Sequence, residues 1–418
     1  MRSLAIGALF LATRATLCLP APYMPDTVLY FEYARRFAAG LRPYADVPVE
    51  YPPLALALFS LPMALVPAAA CRPDVPAAQL ERYFATYRAG FVSEMLLLDV
   101  LGFAALAWVC GCARLGAAPL IAYTVFGALL QPLVYDRFDL ALGVLLLAAI
   151  APAAGGRLAR AASLLATCAG FLLTLVPILL LPLLVLMPRR AAPLWRRIGE
   201  AVLWFAVPGA AVTAIAAAVW GSALFGFVGY HRERGIQIES TWSSVALLGK
   251  WFGQSFGIDD AYGAQHLTGG ATRVMRALSL PVMAVAWIAS TLLVLAAWHR
   301  QRDRDHRAMV AADACTGCVA VLLAFLICSK VLSPQFMLWL VPLVPVCCPR
   351  DLRARNWLWL VFGLVLLLTS WIFRYRYWDL VAFRTGAVIL LLARNALLVG
   401  AWVLIVRSVL RRAPEASH

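Results

Sequence analysis

Glu50-Tyr51-Pro52-Pro53-Leu54-Ala55-Leu56-Ala57-Leu58-Phe59-Ser60-Leu61-Pro62-Met63-Ala64-Leu65-Val66-Pro67 decides how this chain threads a membrane. The stretch is apolar enough to pass for a span. Its four prolines, at 52, 53, 62 and 67, leave a helix over 54–66 at most. At 1.5 Å per residue that helix is roughly 20 Å long, short of the roughly 30 Å hydrocarbon core. It reads as an interfacial or re-entrant helix within residues 51–70, not as a crossing.

The wider composition makes a membrane the right frame. Of 418 residues 63% are hydrophobic and 14% charged, and the mean hydropathy is +0.82, which excludes an ordinary soluble domain. Spans are expected near 4–20, 89–110, 117–132, 139–153, 158–173, 176–187, 199–220, 277–298, 309–328, 334–348, 357–373 and 386–407. The short 176–187 run is expected to be a tilted continuation of its predecessor, broken at Pro177. The first run lacks a small-x-small cleavage site and contains Arg14, so it reads as an uncleaved span and not a signal peptide. The expected fold class is an all-α polytopic protein with about twelve transmembrane helices, one domain over 1–418. Its first loop, 21–88, would carry interfacial helices, and 221–275 would form a second long loop.

Charge orients the spans. The net charge of +15 comes from 36 basic against 21 acidic residues. The basic residues gather in short loops: Arg189, Arg190, Arg196 and Arg197; Arg300, Arg302, Arg304 and Arg307; Arg350, Arg353 and Arg355; Arg407, Arg411 and Arg412. The positive-inside rule places all four groups, and both termini, in the cytoplasm of a cell-membrane protein. Arg114, Arg157 and Arg160 join them only if 51–70 does not cross. A basic excess of this kind needs no nucleic acid, and no nucleic-acid-binding module is visible.

The same count puts every polar motif on the outer face. Upstream of the proline-rich run, Pro25-Asp26-Thr27-Val28-Leu29-Tyr30 leads to Tyr44-Ala45-Asp46-Val47-Pro48-Val49-Glu50-Tyr51. Three carboxylates, Asp26, Asp46 and Glu50, thus lie beside a bilayer that disfavours them, which marks them as functional candidates. A helix is expected over 27–39, with Leu29, Tyr33 and Phe37 as its apolar stripe. Asp26 would then serve either as its N-cap or as a rigidly held reactive carboxylate. Glu50 and Tyr51 open the short helix, where a simple turn is the plainer reading.

Three further corners carry candidates. Asp136-Arg137-Phe138-Asp139 is either an ion pair with a cap or part of a site. Gly229-Tyr230-His231-Arg232-Glu233-Arg234-Gly235-Ile236-Gln237-Ile238-Glu239-Ser240 is the densest polar cluster, and His231, Arg232 and Arg234 suit phosphate oxygens. Ser329-Lys330-Val331-Leu332-Ser333-Pro334-Gln335 adds a lysine that either snorkels or binds. Cys315 and Cys318 have metal-site spacing but no second pair and lie in an apolar run, so no metal is expected there.

Taken in order, Asp26, Tyr44-Ala45-Asp46, Glu50-Tyr51-Pro52-Pro53-Leu54, Arg137-Phe138-Asp139, Arg234-Gly235-Ile236-Gln237-Ile238-Glu239-Ser240 and Ser333-Pro334-Gln335 resemble glycosyltransferase family eighty-seven. These are GT-C-fold membrane mannosyltransferases, among them those acting on mycobacterial phosphatidylinositol mannosides. The likeness covers about residues 20–345. It implies an inverting hexosyltransferase that takes a sugar, typically mannose, from a polyprenyl phosphate on the outer face and hands it to a lipid or glycan acceptor. It carries the base onto Asp26 and implies no cofactor. Donor or acceptor contacts are expected from Asp46, Glu50, Tyr51, Asp136, Arg137, Asp139, His231, Arg232, Arg234, Gln237, Glu239, Lys330 and Gln335. One departure stands out: where relatives often show a Lys-x-x-Pro turn, this chain has Leu173-Thr174-Leu175-Val176-Pro177, with no cation.

The competing reading is a secondary transporter or lipid flippase, for which twelve spans is ordinary. No internal repeat favours it. A structural subunit without activity is a third. Four charges lie inside spans: Arg14, Glu94, Asp99 and Arg394. Matched depth along their helices predicts pairing of Asp99 with Arg394, and of Arg14 with Glu94.

Overall fold

Long apolar runs fold as helices here because a helix satisfies every backbone group internally, which lipid requires. The computed structural model describes residues 2–18, 25–131, 133–188, 192–305, 311–348 and 351–411. Arg189, Arg190, Arg307, Arg350 and Arg412 of the basic loops lie outside the described residues. Among the described residues seven helices are long and apolar enough to cross a membrane: Ala77–Ala113, Arg157–Thr174, Leu194–Glu233, Thr272–Gln301, Ala311–Cys328, Leu352–Val381 and Thr385–Leu410. Shorter apolar helices cover Ala5–Leu17, Pro53–Leu65, Ala118–Leu129, Asp139–Ile150 and Val176–Leu186. The protein is a polytopic helical membrane protein.

The helix Ala311–Cys328 is the most buried of the seven and packs against Thr272–Asp305, Thr385–Leu410, Ala77–Ala113 and Asp139–Ile150. Its small residues permit that close packing, since association in lipid depends on van der Waals fit. Cys315 and Cys318 are buried free thiols on it.

Several expectations change. The run 334–348 is not a regular span. It folds as a 3-10 turn at Pro334–Phe336, one α turn at Met337–Leu340 and another 3-10 turn at Val344–Val346. Pro342 and Pro345 remove two backbone donors from it, which explains the broken ladder. Residues 337–348 are buried throughout. Irregular backbone is tolerated at this depth only when enclosed by protein. Gly143 allows the approach, because a Cβ there would lie 2.5 Å from the Leu338 carbonyl oxygen.

The 176–187 run is likewise a return leg and not a continuation. Leu175 sits at φ +64°, and Pro177 packs back onto Gly170 of the preceding helix. Its far end, Met187, accepts from Arg197, while Arg197's neighbour Glu200 bonds Arg160 at the start of that preceding helix.

The helical architecture expected from the sequence carries one small sheet in addition. Within 221–275 a three-stranded antiparallel sheet runs in the order β1-β3-β2, from β1 Ile236–Gln237, β2 Phe256–Ala261 and β3 Ala264–Gly269. Tyr262 and Gly263, both at positive φ, make the two-residue turn between β2 and β3.

In the first loop the helix is Pro25–Ala38. Its buried face is Thr27, Tyr30, Phe31 and Ala34, with Tyr33, and so is rotated from the expected 29/33/37 stripe. Tyr30 stacks on Phe59 at 4.1 Å and meets Tyr51, Phe91 and Phe138. Such ring pairs contribute about 0.5–1.5 kcal/mol each beyond their burial. They clamp the helix Pro25–Ala38 to the short helix Pro53–Ser60 and to the Asp136–Asp139 corner.

The intramembrane charges pair differently from the depth argument. Arg14 Nε donates to Asp99 Oδ2 at 2.8 Å, and both groups are almost fully buried. Asp99 also accepts from Tyr123 at 2.5 Å and Tyr135 at 2.7 Å, while Arg14 donates to the Thr124 carbonyl at 2.8 Å. Arg394 instead donates to the Glu239 carbonyl at 3.0 Å. Equal depth does not imply lateral contact, because Ala77–Ala113 packs on Asp139–Ile150 whereas Thr385–Leu410 packs on Leu352–Trp371. Glu94 takes no part in the Arg14 network and has one buried carboxylate oxygen without a hydrogen-bond partner among the described residues.

Candidate active site

Distant parts of the chain meet at one cavity of about 1580 Å³. The first-loop helix, the Arg137–Asp139 corner, the turn at Leu175, residues 231–239, the β2–β3 turn, Ser329–Gln335 and Phe373–Asp379 all border it. The loops that the charge count assigned to one face therefore converge. Every candidate residue lines this cavity except Asp46 and Asp136.

Asp46 is corrected first. It is exposed and closes a local turn, accepting from Arg42 N at 2.8 Å and pairing with the Arg42 guanidinium at 3.1 Å. Those bonds to Arg42 hold its carboxyl below the ordinary carboxylate range. Asp136 is buried behind the cavity wall, where it accepts from Thr27 Oγ1 at 2.5 Å. That bond ties the helix Pro25–Ala38 to the Asp136–Asp139 corner. Burial pushes the Asp136 carboxyl up to about 7, against the pull of the Thr27 bond.

Asp26 lies in the first turn of its helix and borders the cavity. Its carboxylate pairs with the Arg137 guanidinium; the two side chains are 21% and 7% exposed. Arg137 also lies 3.8 Å from Asp136 and 5.8 Å from the Phe373 ring centre. An opposite charge beside a carboxylate fixes its direction. Asp139 accepts from Trp339 Nε1 at 2.7 Å.

A second group forms around residues 232–239. Lys330 Nζ donates to the Arg232 and Arg234 carbonyls at 2.8 and 2.6 Å, and Arg276 donates to the Glu233 carbonyl at 2.8 Å. Among the described residues these two cations donate to backbone oxygens and form no ion pair, so their charge can meet an anion in the cavity. Burial, with Arg276 and Arg234 nearby, lowers the Lys330 ammonium to about 8. Gln237 Nε2 reaches Glu239 Oε2 and Ser333 Oγ, both at 3.0 Å, and Leu332 N donates to Gln237 Oε1 at 3.1 Å. That clamp joins the 236–240 and 329–335 segments. Burial raises the Glu239 carboxyl to about 7, with Arg394 and then Arg137 opposing.

Part of the wall is apolar, with Leu175, Ile178, Leu179, Leu280, Met283 and Phe325. Thr174-Leu175-Val176, where the resemblance expected a lysine, does border the cavity and brings no charge. Arg276 and Arg374 line it instead, and neither was singled out from the sequence. Both sit at the edge of an apolar run, where a basic residue reads as an ordinary span end. Tyr262 and Trp339 were missed because one lies on the unforeseen sheet and the other in an expected span. Among the described residues no group of His, Cys, Asp or Glu is placed to hold a metal ion. Compared with known protein families the chain matches none, and it shows no significant similarity to any curated protein.

Proposed function

We propose that this chain is a membrane glycosyltransferase that moves a hexose, mannose by its resemblance, from a polyprenyl phosphate to a lipid or glycan acceptor on the outer face. The observation that carries this reading is one amphipathic cavity that combines Asp26 with several cations and apolar walls. A lipid-linked sugar phosphate needs all three. The apolar wall takes the first isoprene units, and Arg232, Arg234, Arg276 and Lys330 take the phosphate. The sugar carbon then lies in the polar region.

In the reaction the acceptor oxygen forms a bond to the anomeric carbon while the bond from that carbon to the phosphate oxygen breaks. The acceptor proton passes to the Asp26 carboxylate, and polyprenyl phosphate leaves as an anion stabilised by the cations. Preorganised charge of this sort supplies much of an enzyme's rate gain, and general-base help adds roughly 10²–10⁴-fold. One carboxylate at the reacting centre corresponds to single displacement with inversion. The remaining apolar legs, including the short return leg and the enclosed irregular segment, are read as completing about twelve passes of a GT-C-type fold. The cavity would then open outward and both termini inward.

The test is transfer itself. Membranes containing the protein, given radiolabelled polyprenyl-phosphate mannose, should yield labelled lipid or glycan products that Asp26→Asn membranes do not. Intact donor relocated across vesicles, with no product, would replace this reading with a flippase.

A further inference from the structure

We propose that Tyr375, Tyr377 and Trp378 form a platform that stacks a pyranose ring of the acceptor, so that the acceptor is a glycan and not a simple lipid alcohol. The proposal rests on the glycosyltransferase reading for the word acceptor alone; the sugar site stands on its own observations.

The segment is unusual in backbone and composition. The helix that begins at Leu352 widens into a π turn at Ile372–Arg376 and resumes at Tyr377–Val381. Widened turns of this kind recur at functional sites. Every residue from Phe373 to Asp379 except Arg376 borders the cavity. A regular helix advances 3.6 residues per turn, so six of seven successive residues cannot share one of its faces. The bulge must therefore project into the cavity.

It projects aromatic rings. Tyr375 and Trp378 are 59% and 69% exposed although they line a cavity. Tyr377 meets Trp378 edge-on at 5.6 Å and Phe373 at 6.4 Å, which splays the ring faces. Exposed aromatics at a membrane edge usually anchor in the interface. Trp251 fits that role, being 49% exposed and outside the cavity lining, whereas Trp371 packs on Tyr375 at 5.2 Å. The Tyr375, Tyr377 and Trp378 rings line the polar site. The face of an aromatic ring is negative, and a pyranose presents a face of slightly positive C–H groups, so the two stack.

Hydroxyl partners are at hand. Arg374 borders the cavity and makes no ion pair among the described residues; its guanidinium lies over the Tyr375 ring at 5.3 Å. Asp379 is fixed by Arg376 at 3.1 Å and Arg384 at 3.0 Å. The platform adjoins the base, since Arg137, which holds Asp26, lies over Phe373. A sugar stacked there offers its hydroxyl to Asp26, which marks it as acceptor and not donor.

The experiment uses the full-length protein in detergent with soluble α-linked mannotriose, read by saturation-transfer NMR. Transfer to the sugar C–H protons should be seen at ~10 mM, above the millimolar range expected of one stacked sugar. It should fall at least about fivefold in Tyr375→Ala/Trp378→Ala and stay unchanged in Trp251→Ala; fivefold corresponds to roughly 1 kcal/mol. No transfer in the wild type, or equal loss in Trp251→Ala, overturns the platform. In the transfer assay, Trp378→Ala should raise KM for the acceptor about tenfold, with donor KM and kcat within about twofold. An active enzyme whose acceptor KM ignores Trp378 overturns the platform alone. Glycan binding by a protein without transferase activity overturns the reaction alone.

Discussion

Replacing Asp99 by Asn should cost more than replacing Asp99 and Arg14 together. The acid is fully buried and accepts from Arg14, Tyr123 and Tyr135. Asparagine keeps one acceptor oxygen for a tyrosine but leaves the Arg14 guanidinium without a counter-charge. Breaking a buried pair costs about 3–5 kcal/mol, and a lone charge at mid-membrane about 2.5–3.5 kcal/mol. We therefore expect about 3 kcal/mol, close to a hundredfold in the folded-to-unfolded ratio. Arg14→Met strands the opposite charge, though the two tyrosines soften it, so its cost should be somewhat smaller. In Arg14→Met/Asp99→Asn no charge remains, and the loss should shrink to about 1 kcal/mol, the worth of ordinary buried hydrogen bonds. Taking Arg14→Met at about 2 kcal/mol, the coupling comes to about 4 kcal/mol, above the usual range for contacting residues because each single variant strands a buried charge. Reversible unfolding in mixed detergent micelles, followed by tryptophan emission, measures each corner of the cycle. A double variant as unstable as the worse single one, or a single Asp99→Asn loss under about 1 kcal/mol, would refute the account of this pair.

Asp26→Asn should fold and bind donor yet lose roughly two to four orders of magnitude in turnover; retention of a tenth of wild-type rate would remove the base from Asp26 and leave Glu50 next. Because the Lys330 ammonium sits near 8, donor KM should rise as pH passes from 7 to 9, and Lys330→Arg should abolish that rise. Glu239 is raised from 4.5 to about 7, so the folded protein holds its proton where the unfolded chain has lost it. Its contribution to stability is present below about 4.5 and lost as pH rises through 7, and Glu239→Gln should flatten the fall in melting temperature over that window. In a cysteine-depleted protein, a membrane-impermeant thiol reagent should label Asp259→Cys but not Arg196→Cys on intact cells; the reverse pattern would invert the proposed orientation.

Much of the arrangement was legible because lipid and water write strong signals. The proline-bounded run became the short helix Pro53–Ser60, and the polar stretches alternating with basic loops proved to share a cavity. The misses have physical causes. Hydropathy reports apolarity without regularity, so 334–348 looked like a span although prolines 342 and 345 break its ladder. Depth along a helix carries no information on lateral neighbours, hence the wrong partners for Asp99 and Arg394. Asp46 satisfied a rule about acids near bilayers, yet it bonds its neighbour Arg42 and lies outside the cavity lining. The sheet at 236–269 hid inside a loop because its turn, Tyr262-Gly263, lacks the Asn-Gly or Asp-Gly pair that announces most tight hairpins. Arg374 was overlooked because it followed an apolar run directly, in the position of a routine flanking charge.

The enclosed irregular segment has a consequence for biogenesis. Residues 334–348 cannot leave the insertion machinery as an autonomous helix, since their broken ladder would expose bare amides to acyl chains. Their main neighbours, Ala118–Leu129, Asp139–Ile150 and Ala311–Cys328, are all synthesised earlier. A growing chain thus completes most of the cradle before the segment that needs it emerges, and Leu352–Trp371 with Ser408 of Thr385–Leu410 follow to close the enclosure.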